Sequence, residues 1–371
     1  MPHIKELKQL LSGYFSFSRH GLECLAYFIF GILTVRTVNL SKIANSCGSP
    51  AKSNSIFRRF QRLIKHLKPS HKQLFNMIES VFKLEGKLTL CLDRTNWKLG
   101  KVHINYLVIS IAYNGTAIPV IWSLLTDKKC GNSDFEDRRR LCDRLWKFLE
   151  PSRVEVLLAD REFVSADWIA YLKSHEIPFI MRAKESLTTY NNKGNKLSLS
   201  KTFNGLKQGQ MKCLNGQRDL LGCDVYIACK RLADGQLLIL VSNFSEEAVC
   251  ELYRMRWQIE TLFSAMKQRG FNLESTHIND HDRLSALFFL TSIAFIWAYR
   301  QGDIALTKKL LAFKPKKHGY AQCSIVRAGL DIIAKAISEM LTKPKKIIAS
   351  LRLIFRRNIS QAEERRYLGV M

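Results

Sequence analysis

The stretch Lys87-Leu-Thr-Leu-Cys-Leu-Asp-Arg-Thr95 is where the character of the chain changes. Upstream of it, apolar residues recur at helical spacing. From Leu88 onward they come as short runs bounded by turn residues, the pattern of strands. Leu88–Leu92 reads as a first strand with Asp93 immediately after it. Ile104–Ala112 and Ala117–Leu124 follow, joined through Asn114-Gly115, a pair that tolerates the positive φ angles of a tight hairpin turn. A polar helix is expected from about Ser133 to Leu149, capped by Ser133 with Asp134 and Glu136 in its first turn. Val154–Ala159 then reads as a buried strand ending at Asp160, Ser165–Ser174 as a helix, and Pro178–Arg182 as a strand. The order β-β-β-α-β-α-β predicts an α/β core.

Working outward, residues 184–243 are rich in Gly and Asn turns between runs such as Cys223–Lys230 and Gln236–Ser242, and read as a mostly β insertion. Ser245 with Glu246 and Glu247 begins what reads as one long helix ending near Gly270. The rest of the chain looks helical and basic, including Ala286–Arg300 and Lys308–Lys317. On the other side, Cys47-Gly-Ser-Pro50 separates two candidate helices, Ser41–Asn45 and one capped by Ser53 that runs to about Lys68 and is stopped by Pro69. Ile56, Phe57, Phe60, Leu63, Ile64 and Leu67 form the apolar side of the second, leaving Arg58, Arg59, Arg62 and Lys65 on the other. That is the pattern of a DNA-reading helix-turn-helix, and equally of an amphipathic helix with a solvated basic face. The expected organisation is a helical DNA-binding domain over 1–85, a catalytic α/β domain over 86–270 containing the β-rich insertion, and a helical C-terminal region over 271–371 as a candidate dimer interface.

The 58 Lys and Arg outnumber 32 Asp and Glu, for a formal charge of +26 spread along the whole chain. Such an excess calls for a polyanion, and double-stranded DNA is the expected partner. The 10 cysteines, Cys130 among them, stand singly without zinc-type spacing, as expected of reduced residues in a cytoplasmic, nucleoid-associated protein. The opening MPHIKELKQL lacks the order of a signal peptide, and the apolar runs Leu25–Val35 and Ala286–Ala298 are too short to span a bilayer, so no membrane is expected.

Asp93 and Asp160 each follow a strand, and if those strands are neighbours the two carboxylates project together from one sheet edge. A third acid from the later helix completes a set that suits Mg²⁺, a hard ion that takes carboxylate oxygens and keeps room for water and phosphate. Two such ions about 4 Å apart serve phosphoryl chemistry by assisting both the attacking and the leaving oxygen. In Tyr253-Arg-Met-Arg-Trp-Gln-Ile-Glu260, continued to Lys267, steps of three, four and seven place Tyr253, Arg256, Glu260 and Lys267 along one face of a helix. A solvated face with an Arg256–Glu260 ion pair would show the same spacing. Yet at residue frequencies of roughly 5%, four fixed residues at these separations arise by chance in about one chain in several hundred, so the stripe is specific where the single aspartates are not.

These residues resemble the DDE insertion-sequence transposases of the IS-four family, whose signature is Tyr-x2-Arg-x3-Glu-x6-Lys. The match is complete at Tyr253, Arg256, Glu260 and Lys267, and Asp93-Arg94-Thr95 and Asp160-Arg161-Glu162-Phe163 resemble the two aspartate motifs. The resemblance implies an RNase H-like core and a likely pair of ions replaced by none other than Mg²⁺ or Mn²⁺. It implies a homodimer that holds the element's inverted-repeat ends and target DNA, nicks each end and joins it through a hairpin intermediate. Asp93, Asp160 and Glu260 would hold the two ions, and Tyr253, Arg256 and Lys267 would contact phosphates. Family members support a flipped base with a tryptophan from the β insertion; residues 184–243 contain none, and Tyr190, Phe203 or Tyr226 would have to substitute. Two other readings use the same residues: an RNase H-like nuclease or resolvase without strand transfer, and an inactive transposase-derived DNA-binding protein.

Overall fold

The computed structural model describes residues 1–125, 131–191, 194–245, 248–310, 323–357 and 359–370. Cys130, Glu246, Glu247 and most of Lys308–Lys317 therefore lie outside the described residues. Two compact units are present: Met1–Glu85 with Lys98–Val102 and Phe263–Met371, and Gly86–Trp97 with His103–Leu262.

The chain opens with α1 (Pro2–Ser12), α2 (Arg19–Val35), α3 (Leu40–Ser46), α4 (Ser53–His66) and α5 (His71–Phe82). Asn39 caps α3 by accepting from the Lys42 backbone N–H. Ser53 does not cap α4: it is the first helical residue, and Lys52 holds the cap position without a side-chain bond. Leu67 is already extended, as a chain approaching Pro69 must be. Ile56, Phe60 and Ile64 are buried, while Arg58, Arg59, Arg62 and Lys65 are exposed.

In the second unit, β1 (Leu88–Leu99), β2 (Val102–Tyr113) and β3 (Thr116–Leu124) follow one another. The expected hairpin of the second and third strands is present, with Asn114 and Gly115 both at positive φ. Pro119 is tolerated because β3 is the edge strand, at a register shift opposite Ser110. The first strand, however, does not stop at Leu92. Leu88–Leu92 are buried throughout, as in a central strand covered on both faces. Beyond Asp93 and Arg94, buried Thr95 and Trp97 alternate with exposed Asn96 and Lys98. Trp97 stacks on Tyr106 of β2 at 5.5 Å. The two charged residues hid this alternation in the sequence, so Asp93 lies within a strand rather than after one.

α6 (Phe135–Leu145) is shorter than expected and is capped by Asp134, in a reciprocal capping box with Asp137, rather than by Ser133. β4 (Val154–Ala159), α7 (Ala166–Ser174) and β5 (Phe179–Arg182) follow as expected. Next come β6 (Thr188–Tyr190), β7 (Lys196–Ser198), α8 (Leu199–Thr202), β8 (Met211–Cys213), β9 (Arg218–Leu220), β10 (Cys223–Arg231) and β11 (Leu237–Ser242). The main sheet has the order β3-β2-β1-β4-β5-β11-β10-β8, with β9 pairing β10 and with β6 and β7 forming a separate ribbon. β1, β4 and β5 run parallel, and β11 joins β5 antiparallel, making the sheet mixed. The segment after β5 thus extends the central sheet as well as carrying its own ribbon.

The single long helix expected up to Gly270 is instead two, α9 (Val249–Arg254) and α10 (Trp257–Met266). Between them the backbone tightens: Met255, Arg256, Gln258 and Ile259 donate to carbonyls three residues back. So short a 3-10 joint leaves the apolar spacing almost unchanged, which is why the sequence reads as continuous.

The chain ends with α11 (His281–Thr307), α12 (Ile325–Ser338), α13 (Pro344–Phe355) and α14 (Gln361–Val370), in the unit that also holds α1 to α5. The apolar run Ala286–Ala298 belongs to α11, whose 27 residues are long enough to cross a bilayer. The apolar window of α11 is 83% buried in protein, and this burial accounts for its composition.

Candidate active site

The β1–β4 ladder pairs Leu92 with Ala159, which places Asp93 and Asp160 side by side as the next residues of two parallel strands. Burial, the largest influence, pushes the Asp93 carboxyl up to about 7, opposed by the Arg94 backbone N–H and the Arg256 guanidinium and assisted by Glu162 and Asp160. The Arg94 N–H donates to Asp93 Oδ1 at 2.7 Å. Asp160 Oδ1 is buried with no hydrogen-bond partner.

The α9–α10 joint supplies the rest. Cys91 Sγ donates to the Met255 carbonyl at 3.7 Å, tying the joint to β1. Arg256, buried at the joint, donates through Nη1 to Asp93 Oδ2 at 3.3 Å and through Nη2 to Glu260 Oε1 at 2.7 Å. Burial works against its charge, but Tyr253, Glu260 and the two aspartates together hold its proton more firmly than usual. Arg256 Nε and the Tyr253 hydroxyl are buried without partners. Burial also raises the Tyr253 phenol above its ordinary range.

The structure therefore brings Asp93, Asp160, Arg256, Tyr253 and Glu260 into one neighbourhood, with Glu260 linked to Asp93 through Arg256. It does not gather the three acids into one ligand set: among the described residues no three His, Cys, Asp or Glu converge to hold a metal ion. The two aspartates fit a hard divalent ion, since both are oxygen donors and one Asp160 oxygen has no other partner. Glu260 is committed to Arg256. Lys267 lies past Leu262, in the other unit, where its Nζ pairs with Glu274 at 3.3 Å. The 3-10 joint thus breaks the expected continuous stripe, and the Arg256–Glu260 ion pair that the spacing also allowed is present.

Three features were not foreseen. Arg94 grips Glu162 with both prongs, at 2.5 and 2.8 Å. Arg138 is buried and donates to the carbonyls of Ser133, Glu162 and Phe163. Trp257 is 62% exposed, with the Arg256 guanidinium 5.5 Å from its ring centre. The only sequence signal for the first was an opposite charge beside each aspartate. Of the aromatic residues named for base support, Phe203 is 1% exposed and offers no free face, Tyr190 is 44% exposed, and Tyr226 is half-buried. In the first unit, Arg59 and Arg62 line a cavity of about 440 Å³ with His20, Glu23, Cys24 and Tyr27.

Compared with known proteins, residues 84–297 match the family model described as transposase DDE domain. Among solved structures, the chain is similar to a piggyBac transposase in a synaptic complex with hairpin DNA. The TM-score is 0.48 and the identity 11%, over 100% of this chain and 83% of that one. The chain matches none of the curated proteins in sequence. Because the family match spans more than half of the 371 residues and contains Asp93, Asp160 and Glu260, the chain belongs to the transposase DDE domain family.

Proposed function

We propose that the chain is a cut-and-paste DNA transposase of the IS-four kind, binding the inverted-repeat ends of its element and cutting and rejoining DNA at Asp93, Asp160 and Glu260. The observation that carries this reading is the set of buried polar atoms left without partners around Asp93: the acceptor Asp160 Oδ1 and the donors Arg256 Nε and Tyr253 Oη. Buried polar atoms are rarely left unpaired, and this set suits an oxygen-seeking cation together with a phosphate. The strand order β3-β2-β1-β4-β5 supports an RNase H-like core. The residues that follow, about 184–243, form its β-rich insertion.

Asp93 and Asp160 would hold the divalent ions, two Mg²⁺ or Mn²⁺, with Glu260 joining them on release from Arg256. When bound, such ions activate an attacking oxygen and stabilise a leaving one. Arg256 then offers a planar fork to a phosphate, Tyr253 a hydroxyl, and Lys267 a point charge. The exposed Arg58, Arg59, Arg62 and Lys65 of α4 would contact the DNA backbone. The partners are double-stranded DNA, as ends and as target, and a second copy of the chain, which bringing two ends together requires.

The test is incubation with Mg²⁺ and a plasmid carrying the element's two ends, with Asp93→Ala alongside. Excision and joining by the wild type alone supports the proposal. Binding without cutting or joining under Mg²⁺ or Mn²⁺ overturns it in favour of a DNA-binding protein, and cutting without joining favours a nuclease.

A further inference from the structure

The last paired residues of the β1–β4 ladder are Leu92 and Ala159, so Asp93 and Asp160 each stand one residue beyond the hydrogen-bonded frame. Past that point β1 continues beside β2, whereas the chain after β4 enters the 3-10 turn Arg161–Phe163. Main-chain pairing of β1 with β4 therefore does not fix the two carboxylates against each other. Side chains do. Arg94, next to Asp93, donates Nε and Nη2 to the two oxygens of Glu162, two residues after Asp160.

We propose that Arg94 and Glu162 form a positioning clamp that sets the separation and orientation of Asp93 and Asp160 for metal binding. This rests on the reading of those aspartates as metal-holding acids. A bidentate guanidinium–carboxylate pair fixes rotation as well as distance, which a single hydrogen bond does not. The remaining Arg94 donors reach Asn105 Oδ1 at 3.2 Å, the Gly131 carbonyl at 2.9 Å and Asn132 Oδ1 at 3.0 Å. One residue thus ties β1 to β2, to the segment before α6 and to the turn after β4. From the other side Arg138 donates to the backbone carbonyls of Glu162 and Phe163, both at 3.2 Å, steadying the same turn. With both of its oxygens engaged by Arg94, Glu162 is held apart from the pair that binds metal.

The experiment measures Mn²⁺ binding directly, by spin resonance of the free ion, in the full chain and in Arg94→Ala, Glu162→Ala, the double variant and Asp93→Ala. Removing a group that orients metal ligands typically weakens metal binding about tenfold or more, and that loss is expected in each single variant. Because the two residues act as a unit, the double variant is expected to lose no more than either single one. Melting curves and metal-free DNA binding check that the variants are folded. Should the alanine variants fail to fold, Arg94→Lys and Glu162→Gln carry the test, each expected to weaken Mn²⁺ binding several-fold because the two-pronged geometry is lost.

If Asp93→Ala loses Mn²⁺ while the Arg94 and Glu162 variants bind it as the wild type does, the clamp is overturned and the acid assignment stands. Losses that multiply in the double variant also overturn the clamp, since they show independent action. If Asp93→Ala binds Mn²⁺ as well as the wild type, the acid assignment fails and the clamp falls with it.

Discussion

His3 is buried in α1 with its ring 4.6 Å from Phe30 and with Nε2 unpaired. Burial, the chief cause, lowers its pKa to about 4 from 6.5. Between those values the unfolded chain binds more protons than the folded one, so stability rises with pH across the window and is lost as pH falls. Taking pH 7 to pH 5 should cost roughly 2 kcal/mol through this residue. Urea midpoints at the two pH values should therefore separate wild type from His3→Leu, and parallel shifts would remove His3 from the account. At the active site, Glu260→Gln keeps the shape of the side chain while removing the charge. The expected outcome is retained DNA binding with Mg²⁺-dependent cleavage lost, measured on an end-containing plasmid; normal cleavage would rule out Glu260 as a catalytic acid. The Arg256–Glu260 spacing was legible in the sequence, but that the same guanidinium also reaches Asp93 was not, because Asp93 is far away along the chain.

At the scale of elements, α11 and α12 meet through two glycines. A Cβ added to Gly302 would lie 2.0 Å from the Ile325 carbonyl oxygen, and one added to Gly329 would lie 1.7 Å from that of Ala298. The obstacles are backbone atoms, which cannot rotate away. A glycine inside a helix ordinarily costs about 1 kcal/mol relative to alanine, so close approach is what these two serve. Gly302→Ala and Gly329→Ala should each destabilise the chain by about 2 kcal/mol or more, read as a lower denaturant midpoint. A stabilised variant would show that the helices separate freely. In the sheet, Asn114-Gly115 announced its hairpin because the turn chemistry is local. The extension of β1 past Asp93 was not announced, since its alternation resumes only after two charged residues set by the site.

For the whole molecule, a formal charge of +26 implies that DNA affinity falls steeply with salt. Each phosphate contact removed should lower the slope of log affinity against log salt by about 0.9. Replacing Arg58, Arg59, Arg62 and Lys65 together by alanine should thus soften the slope by roughly 3 to 4 units if all four touch phosphate. An unchanged slope would mark α4 as an ordinary helix with a solvated basic face. Their exposure on α4 leaves them available for that role.

By itself the sequence determined the alternation of strands and helices, the hairpin at Asn114-Gly115, the basic face of α4 and the positions of the candidate acids, because each depends on residues close together in the chain. Only the tertiary structure decided that Leu92 pairs with Ala159 so that Asp93 adjoins Asp160, that the helix carrying Glu260 breaks at Arg256, and that Arg94 holds Glu162. Those features rest on burial and on charge pairs between segments far apart in sequence, whose energies no local pattern contains.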